Sequence, residues 1–372
     1  MKIPAQRYDF SDEDIKFVLS EIEKVLKSRD FLTLGRYCQI FEEEFSRYIG
    51  SPSVCTNSGT SALECIFTEI GVKGKEVILP SLTFAATAFA VIKAGGFPVF
   101  ADCVSVDDFS ISPDNVKKLI TRRTSGICVV HIGGFISESI YQILEIGRVK
   151  GIPVVEDCAH AHGSIIDGKK AGSLGIAGAF SFFSTKVITT GEGGMVTSNN
   201  KKIIERTRIM RDQAKVQNQN IHKEIGYNFR MTEFQAILGI AQLRNIEKFI
   251  SERERIARIY SSYLDDAKIP YLRPYVNSRP NYYKFTVFAT NTDEITKALK
   301  ENYGISLQGK VYDIPLHKQP VFRNLKDSKR IDLKNSERIC KNHICLPIYP
   351  SLSDDEATYV AKSVVELLKN KK

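Results

Sequence analysis

Ala179-Phe180-Ser181-Phe182-Phe183-Ser184-Thr185-Lys186 is followed closely by Gly191-Glu192-Gly193-Gly194. The aromatic, β-prone start of this run reads as a buried strand over Ala179 to Phe183, and Gly194 to Ser198 reads as another. A lysine just beyond such a strand, beside hydroxyls and glycines, is placed where an amine can be held in a tight site. As a neutral amine it can form a Schiff base with an aldehyde. By itself Lys186 decides little, because the chain has 52 Lys and Arg residues and most must be solvated. Its meaning depends on what the rest of the chain places around it.

Working outward, strand and helix signals alternate. Pro153-Val154-Val155-Glu156-Asp157 and Gly126 to His131 read as buried strands. So do Val77-Ile78-Leu79, ended by Pro80, and Pro98 to Asp102. Between them lie helical patterns. Phe41, Phe45 and Tyr48 share one face of Tyr37 to Ile49. Ser112-Pro113 is an N-cap with proline at the first helical position, and Tyr141 to Lys150 ends at Gly151. Near-continuous apolar strands separated by helices predict an α/β fold with a mostly parallel sheet covered on both faces. After about residue 245 the character changes. A long charged amphipathic helix, Ile246 to Leu264, leads into a proline-rich link (Pro270, Pro274, Pro280). A strand at Tyr283 to Ala289 and a helix at Thr292 to Asn302 follow, and Ser353-Asp354-Asp355-Glu356 opens a last helix as a capping box. The expected division is a large domain over residues 1–245, N-terminal segment included, and a smaller α+β domain over residues 246–372.

Composition narrows the function classes. The 372 residues are 43% hydrophobic and 26% charged, ordinary for a globular protein. The longest apolar candidate, Phe84 to Ile92, is cut by Lys93 and Gly95-Gly96 and falls short of the roughly 20 residues that span a bilayer. With no signal-peptide core at the N-terminus, the expectation is a cytoplasmic protein without a membrane partner. The eight cysteines contain no C-x-x-C pair, and several sit in apolar runs. They read as core residues, with no metal site and no disulfide framework. The net charge of +9 is dispersed, with modest clusters at Lys117-Lys118, Lys169-Lys170 and the tail from Lys369 to Lys372. No nucleic-acid motif accompanies it, so a solvated basic surface is favoured over attraction of an anionic substrate.

Several short stretches carry chemistry. Ser58-Gly59-Thr60 stands between the strand-like Ser53 to Thr56 and the helical run from Ser61, so a helix N-terminus there suits a phosphate, although an ordinary N-cap reads equally well. Asp157 lies at the carboxyl end of a strand, where open α/β sheets bind ligands. There it can pair with a protonated pyridine nitrogen, the alternative being a capping or ion-paired aspartate. Phe84 can stack on a ring or fill the core, and the Ser181 hydroxyl, five residues before Lys186, can reach the same phosphate. Asn228 and Arg230, in Gly226-Tyr227-Asn228-Phe229-Arg230-Met231, offer either a capping network or anion binding. Phosphate groups, a carboxylate for a ring nitrogen and an amine for an aldehyde together suggest pyridoxal 5′-phosphate.

In their order along the chain, from Phe41-Glu42 to Leu346-Pro347-Ile348-Tyr349-Pro350, these stretches resemble the DegT/DnrJ/StrS family of pyridoxal-phosphate sugar aminotransferases. The resemblance implies the aspartate-aminotransferase-like architecture (fold type I). It gives Lys186 and Asp157 the catalytic roles. Ser58, Gly59, Thr60 and Ser181 are placed at the phosphate, Phe84 on the ring and His160 at the ring oxygen. It also implies that Asn228 reaches the phosphate of the other subunit, hence a homodimer with shared sites. Arg230, Tyr312 and His317 become substrate-contact candidates, with packing or surface roles as the plain alternative. The reaction implied moves an amino group from an amino acid, L-glutamate, to carbon 3 or 4 of a nucleotide-linked keto-sugar, for amino-sugar or surface-polysaccharide synthesis. The chain departs from the family pattern at His160, where glutamine is usual, and at His131-Ile132-Gly133-Gly134. Two rival readings are a sugar dehydratase of the same family and a non-catalytic regulatory or binding protein on this fold. Retention of Lys186 opposes both.

Overall fold

A computed structural model describes residues 2–216, 219–222, 224–323 and 331–369. Of the basic C-terminal tail, Asn370, Lys371 and Lys372 lie outside the described residues. Seven segments form one sheet: β1 (Ser53–Thr56), β2 (Glu76–Pro80), β3 (Phe97–Ala101), β4 (Thr124–Val130), β5 (Val154–Asp157), β6 (Ala177–Ser181) and β7 (Gly194–Thr197). Their order is β1-β7-β6-β5-β4-β2-β3, and only β7 runs antiparallel to its neighbours.

The strands are buried along almost their whole length, which requires cover on both faces. Side-chain alternation divides them between two cores. Ile78, Val99, Ile127, Val129 and Phe180 turn to a core built with α1 (Asp12–Ser28), α2 (Arg36–Ile49), α5 (Pro113–Leu119), α6 (Ser139–Lys150) and α8 (Glu233–Arg244). Val77, Leu79, Phe100, Cys128, Val155 and Ala179 turn to the opposite core, closed by α3 (Gly59–Glu69), α4 (Ala85–Lys93) and α7 (Lys201–Arg211). All eight cysteines are buried and free.

Helix starts follow the local signals. Ser58 and Ser112 accept the N–H groups of Ser61 and Asn115, and Thr232 forms a capping box with Gln235. At the last helix Ser353 Oγ accepts the Glu356 N–H at 3.2 Å, while the Glu356 carboxylate accepts the Ser353 N–H at 3.0 Å.

The C-terminal part has its own core. Strands β8 (Phe285–Phe288) and β9 (His343–Leu346) pair antiparallel. They pack with α9 (Ile246–Asp266), α10 (Thr292–Tyr303) and α12 (Asp354–Lys369), while α11 (Lys334–Lys341) leads into β9. The expected boundary at residue 245 falls just before α9, but that helix serves both cores. Ile246, Phe249 and Ile250 belong to the first, and Ile256, Tyr260 and Leu264 to the second. At the N-terminus, Ile3 bridges to Ile305 and is fully buried in the second core, where it gains an apolar contact. No helix among the described residues is long and apolar enough to cross a membrane.

Candidate active site

Alternation through β6 builds the centre of the site. Phe180 and Phe182 are fully buried and meet Phe41 and Phe45 of α2 at ring-centroid distances of 5.0 to 5.6 Å. The two contacts made by Phe45 are edge-to-face, a geometry worth about 0.5–1.5 kcal/mol per pair beyond area burial. Ser181, between the two rings, therefore faces the other way, into a cavity of ≈ 660 Å³. The chain then turns tightly. The Lys186 N–H donates to the Phe183 carbonyl at 2.9 Å and the Thr190 N–H to the Phe182 carbonyl at 3.0 Å. Lys186 enters the same cavity, its Nζ 5.0 Å from the Tyr283 ring centroid. Desolvation lowers the Lys186 ammonium to about 8 against the opposing pull of Asp157, so a minor neutral fraction is present at neutral pH and grows as pH rises toward 8.

Ser58, Gly59 and Thr60 line the cavity at the start of α3. The N–H groups of a first helical turn lack intrahelical acceptors and carry the positive end of the dipole. Two glycines bring this turn into place. A Cβ on Gly59 would stand 2.8 Å from the Ser181 Cβ, and one on Gly194 would stand 2.2 Å from the Ser58 carbonyl oxygen. Gly194 of the GEGG loop is thus required for a spatial reason: β7 runs directly beneath the helix start.

At the cavity floor, Asp157 Oδ2 accepts the Thr87 hydroxyl at 2.8 Å and Oδ1 accepts the Ala159 N–H at 3.1 Å. It has no ion-pair partner among the described residues, and burial raises its carboxyl above the usual range despite those two bonds and the Lys186 charge. A buried carboxylate in this condition favours a cationic N–H as its partner. Phe84 is 65% exposed and lines the cavity, which removes the core-filling alternative.

His160 lines the cavity in a tautomer set by its neighbours. The Gly133 N–H donates to Nδ1 at 3.3 Å, so the proton resides on Nε2. Burial, with the Lys186 charge adding to it, holds the imidazole well below its ordinary value, so His160 is a fixed neutral donor and its charge does not vary through the physiological range. Its ring stacks on Tyr283 at 4.2 Å. The departure at Ile132-Gly133-Gly134 serves this residue. Gly133 and Gly134 adopt φ of 68° and 91°, and a Cβ on Gly134 would fall 1.9 Å from Asn281 Oδ1. Asn281 in turn donates to the His160 and His162 carbonyls, both at 2.9 Å. Tyr312 also lines the cavity, and burial beside Asp157 keeps its phenol protonated.

Three expected residues are elsewhere. Asn228 is exposed outside the cavity, its backbone carbonyl accepting the Asn57 amide at 3.2 Å. Arg230 is ion-paired with Asp212 at 2.6 Å and lines a separate cleft with Phe31 and Leu34. His317 is buried behind the wall, with Nδ1 on the Ser81 hydroxyl at 2.7 Å and Nε2 on Glu337 at 3.0 Å. Both ring nitrogens are committed, so it positions the wall and does not face the cavity. Thr87, Tyr283 and Asn281 were missed in the sequence. Their signal is only their distance in space to Asp157 and His160, which no local pattern carries.

The sequence profile of the DegT/DnrJ/EryC1/StrS aminotransferase family matches residues 12–365. The chain belongs to this family. Among similar proteins of this aminotransferase family, the GDP-perosamine synthase of Vibrio cholerae is 31% identical over 90% of this chain and 91% of its own length. The UDP-4-amino-4,6-dideoxy-N-acetyl-beta-L-altrosamine transaminase of Campylobacter jejuni is 30% identical over 99% and 97%. Among solved structures, Helicobacter pylori PseC, an aminotransferase involved in the biosynthesis of pseudoaminic acid, superposes with a TM-score of 0.90 at 27% identity, covering 100% of both chains. The family aminotransferase is a pyridoxal-phosphate enzyme of the aspartate-aminotransferase-like type. Its donor set fits that cofactor: an amine of lowered basicity, a buried carboxylate with no ion-pair partner among the described residues and a helix start narrowed by two glycines surround one cavity.

Proposed function

We propose that this aminotransferase moves an amino group from L-glutamate to carbon 3 or 4 of a keto-sugar carried on a nucleoside diphosphate, in the cytoplasm, for amino-sugar or polysaccharide synthesis. The observation that carries the reading is the convergence of Lys186, Asp157, Ser58 to Thr60 and Phe84 on one cavity large enough for cofactor and sugar together. The relatives' names support a nucleotide-linked sugar, and they differ in nucleotide, GDP in one and UDP in the other.

Bound pyridoxal phosphate supplies the aldehyde carbon and an electron-accepting ring. The protein's own groups do the rest. Ser58, Gly59, Thr60 and Ser181 would hold the phosphate, Asp157 would pair with the ring nitrogen and keep its proton in place, and Phe84 would cover the ring. Nε2–H of His160 would donate to the ring oxygen. Lys186 Nζ, partly neutral near pH 8, would take the proton from the α-carbon of the amino donor and deliver it to the cofactor's former aldehyde carbon, across the nitrogen that joins them. Tyr312 presents a protonated phenol toward the acceptor.

The same reading includes a homodimer with shared sites and a small domain built around the second core. It is supported by the exposed Asn228 side chain, which lies outside its own cavity, and by Phe31 and Ile225, each 88% exposed. Arg230 then serves the partner's site or the subunit contact. The test is a screen of keto-sugar nucleotides against glutamate-treated enzyme, followed at the yellow band near about 410–430 nm. Glutamate is expected to bleach the band and one nucleotide-linked keto-sugar to restore it. Lys186→Ala is expected to abolish turnover, and wild-type rates in that variant would remove the role assigned to Lys186.

A further inference from the structure

The turn that carries Lys186 is held from behind by two amides. Gln6 Nε2 donates to the Thr185 carbonyl at 3.1 Å. Gln242 of α8 accepts the Thr189 N–H on Oε1 at 3.4 Å and donates from Nε2 to the Asp9 carbonyl at 3.1 Å. The lysine is thus bracketed on both sides, one residue before and three residues after, by bonds to the main chain.

The N-terminal strap that supplies Gln6 and Asp9 is anchored in the small core. The Ile3 N–H donates to the Gly304 carbonyl and the Ser306 N–H to the Ile3 carbonyl, both at 2.9 Å. Arg7 pairs with Glu356 of α12 at 3.5 Å, and the Asp9 carboxylate accepts the Ser351 N–H at 3.3 Å. Behind the turn, Gln6, Asp9, Gln242 and Arg253 line a narrow cleft that Lys186 also borders, and none of the four lines the cofactor cavity. Arg253 is buried and donates to the Tyr282 and Ile348 carbonyls at 3.2 and 2.8 Å, next to Tyr283, whose hydroxyl meets Thr185 Oγ1 at 3.2 Å.

We propose that Gln242 and Gln6 are positioning residues that clamp the Lys186 turn to the N-terminal strap and, through it, to the small C-terminal core. The proposal rests on the role given to Lys186 above. Amides suit this task because they bond the backbone at every pH and add no charge beside an amine whose basicity matters. A turn released from its clamp lets water reach Nζ, and a more hydrated amine is more basic. The titratable groups around Lys186 are Asp157, His160, His162, Glu192, Tyr283, Lys284, Tyr312 and Asp313 on the cavity side, with Arg7, Tyr8, Asp9 and Arg253 behind, and the test variants leave all of them in place.

The test is Gln242→Met, which keeps the volume and removes both bonds, with Gln6→Met as the second variant at a partly exposed position that leaves folding intact. In the full-length protein freed of cofactor, competitive acetylation of Lys186 across pH, read by mass spectrometry, reports the amine directly. The wild-type midpoint is expected at about 8, and in the variants it moves up by roughly 0.5–1 unit. With cofactor restored, glutamate-driven bleaching is expected to slow by about 3- to 10-fold with KM for glutamate unchanged. An unmoved midpoint in both variants overturns the proposal, whether or not the rate falls. Acetylation needs neither donor nor acceptor, so failure of the sugar-nucleotide reading does not imitate failure of the clamp.

Discussion

Replacing Gly194 by alanine tests whether β7 and the start of α3 form the phosphate cradle. The added Cβ would lie 2.2 Å from the Ser58 carbonyl oxygen and 2.7 Å from the Gly59 nitrogen. Carbon and oxygen in ordinary contact need about 3.3 Å, so the helix start must retreat by about 1 Å. Both atoms belong to backbone, and β7 is fixed by its ladders to β1 and β6, so no flexible side chain absorbs the shift. Overpacking of this kind costs about 1–3 kcal/mol of stability. Losing one hydrogen bond to a charged phosphate costs a further 1.5–3 kcal/mol of binding, about 10- to 100-fold in cofactor affinity. The assay is titration of cofactor-free protein with pyridoxal phosphate, beside a thermal melt. Gly50→Ala is the control, because Gly50 has a φ of 84° and no heavy atom within 4 Å of its added Cβ. It loses stability through strain alone and keeps cofactor affinity. Cofactor affinity within about twofold of wild type in a folded Gly194→Ala protein would refute the cradle.

Two further outcomes follow from the site. Because burial holds His160 neutral, with a folded value well below its ordinary one, it takes up no proton as pH falls from 8 toward 6. His160→Gln therefore leaves the shape of the pH–rate profile between pH 6 and 8 unchanged, and a lost inflection in that window would contradict the neutral assignment. Asn228→Ala is expected to weaken cofactor retention, more so on dilution, if the exposed amide completes a partner's site. Retention independent of protein concentration, checked with sedimentation, would speak against sharing.

Much of the site was legible in the sequence because its pieces are local. The Ser58 cap, the alternation that turns Ser181 away from Phe180 and Phe182, and Asp157 at a strand end depend on residues within a few positions of each other. The same local reading does not show that Arg230 lies outside its own chain's cavity or that His317 stands behind the wall. Each sits near a motif in sequence, yet one is claimed by Asp212 and the other by Ser81 and Glu337, partners 18, 236 and 20 residues away. Nor does the local reading show that Ile3 packs in the second core, since nothing near Ile3 reveals that residues 304–306 lie beside it.

The sequence by itself determined the chemistry on offer: a lysine, a carboxylate, a helix start and an aromatic, each set by caps and strand periodicity that act over a few residues. Tertiary structure decided which of them meet and in what state. The sheet order β1-β7-β6-β5-β4-β2-β3 brings Thr87 to Asp157 across 70 residues, and the anchoring of the N-terminal strap in the second core brings Gln6 to the Lys186 turn across 179. Lys186 comes down to about 8 and His160 stays uncharged because packing removes water from them. Desolvation depends on everything that surrounds a group in space, and so no stretch of sequence around the lysine or the histidine contains it.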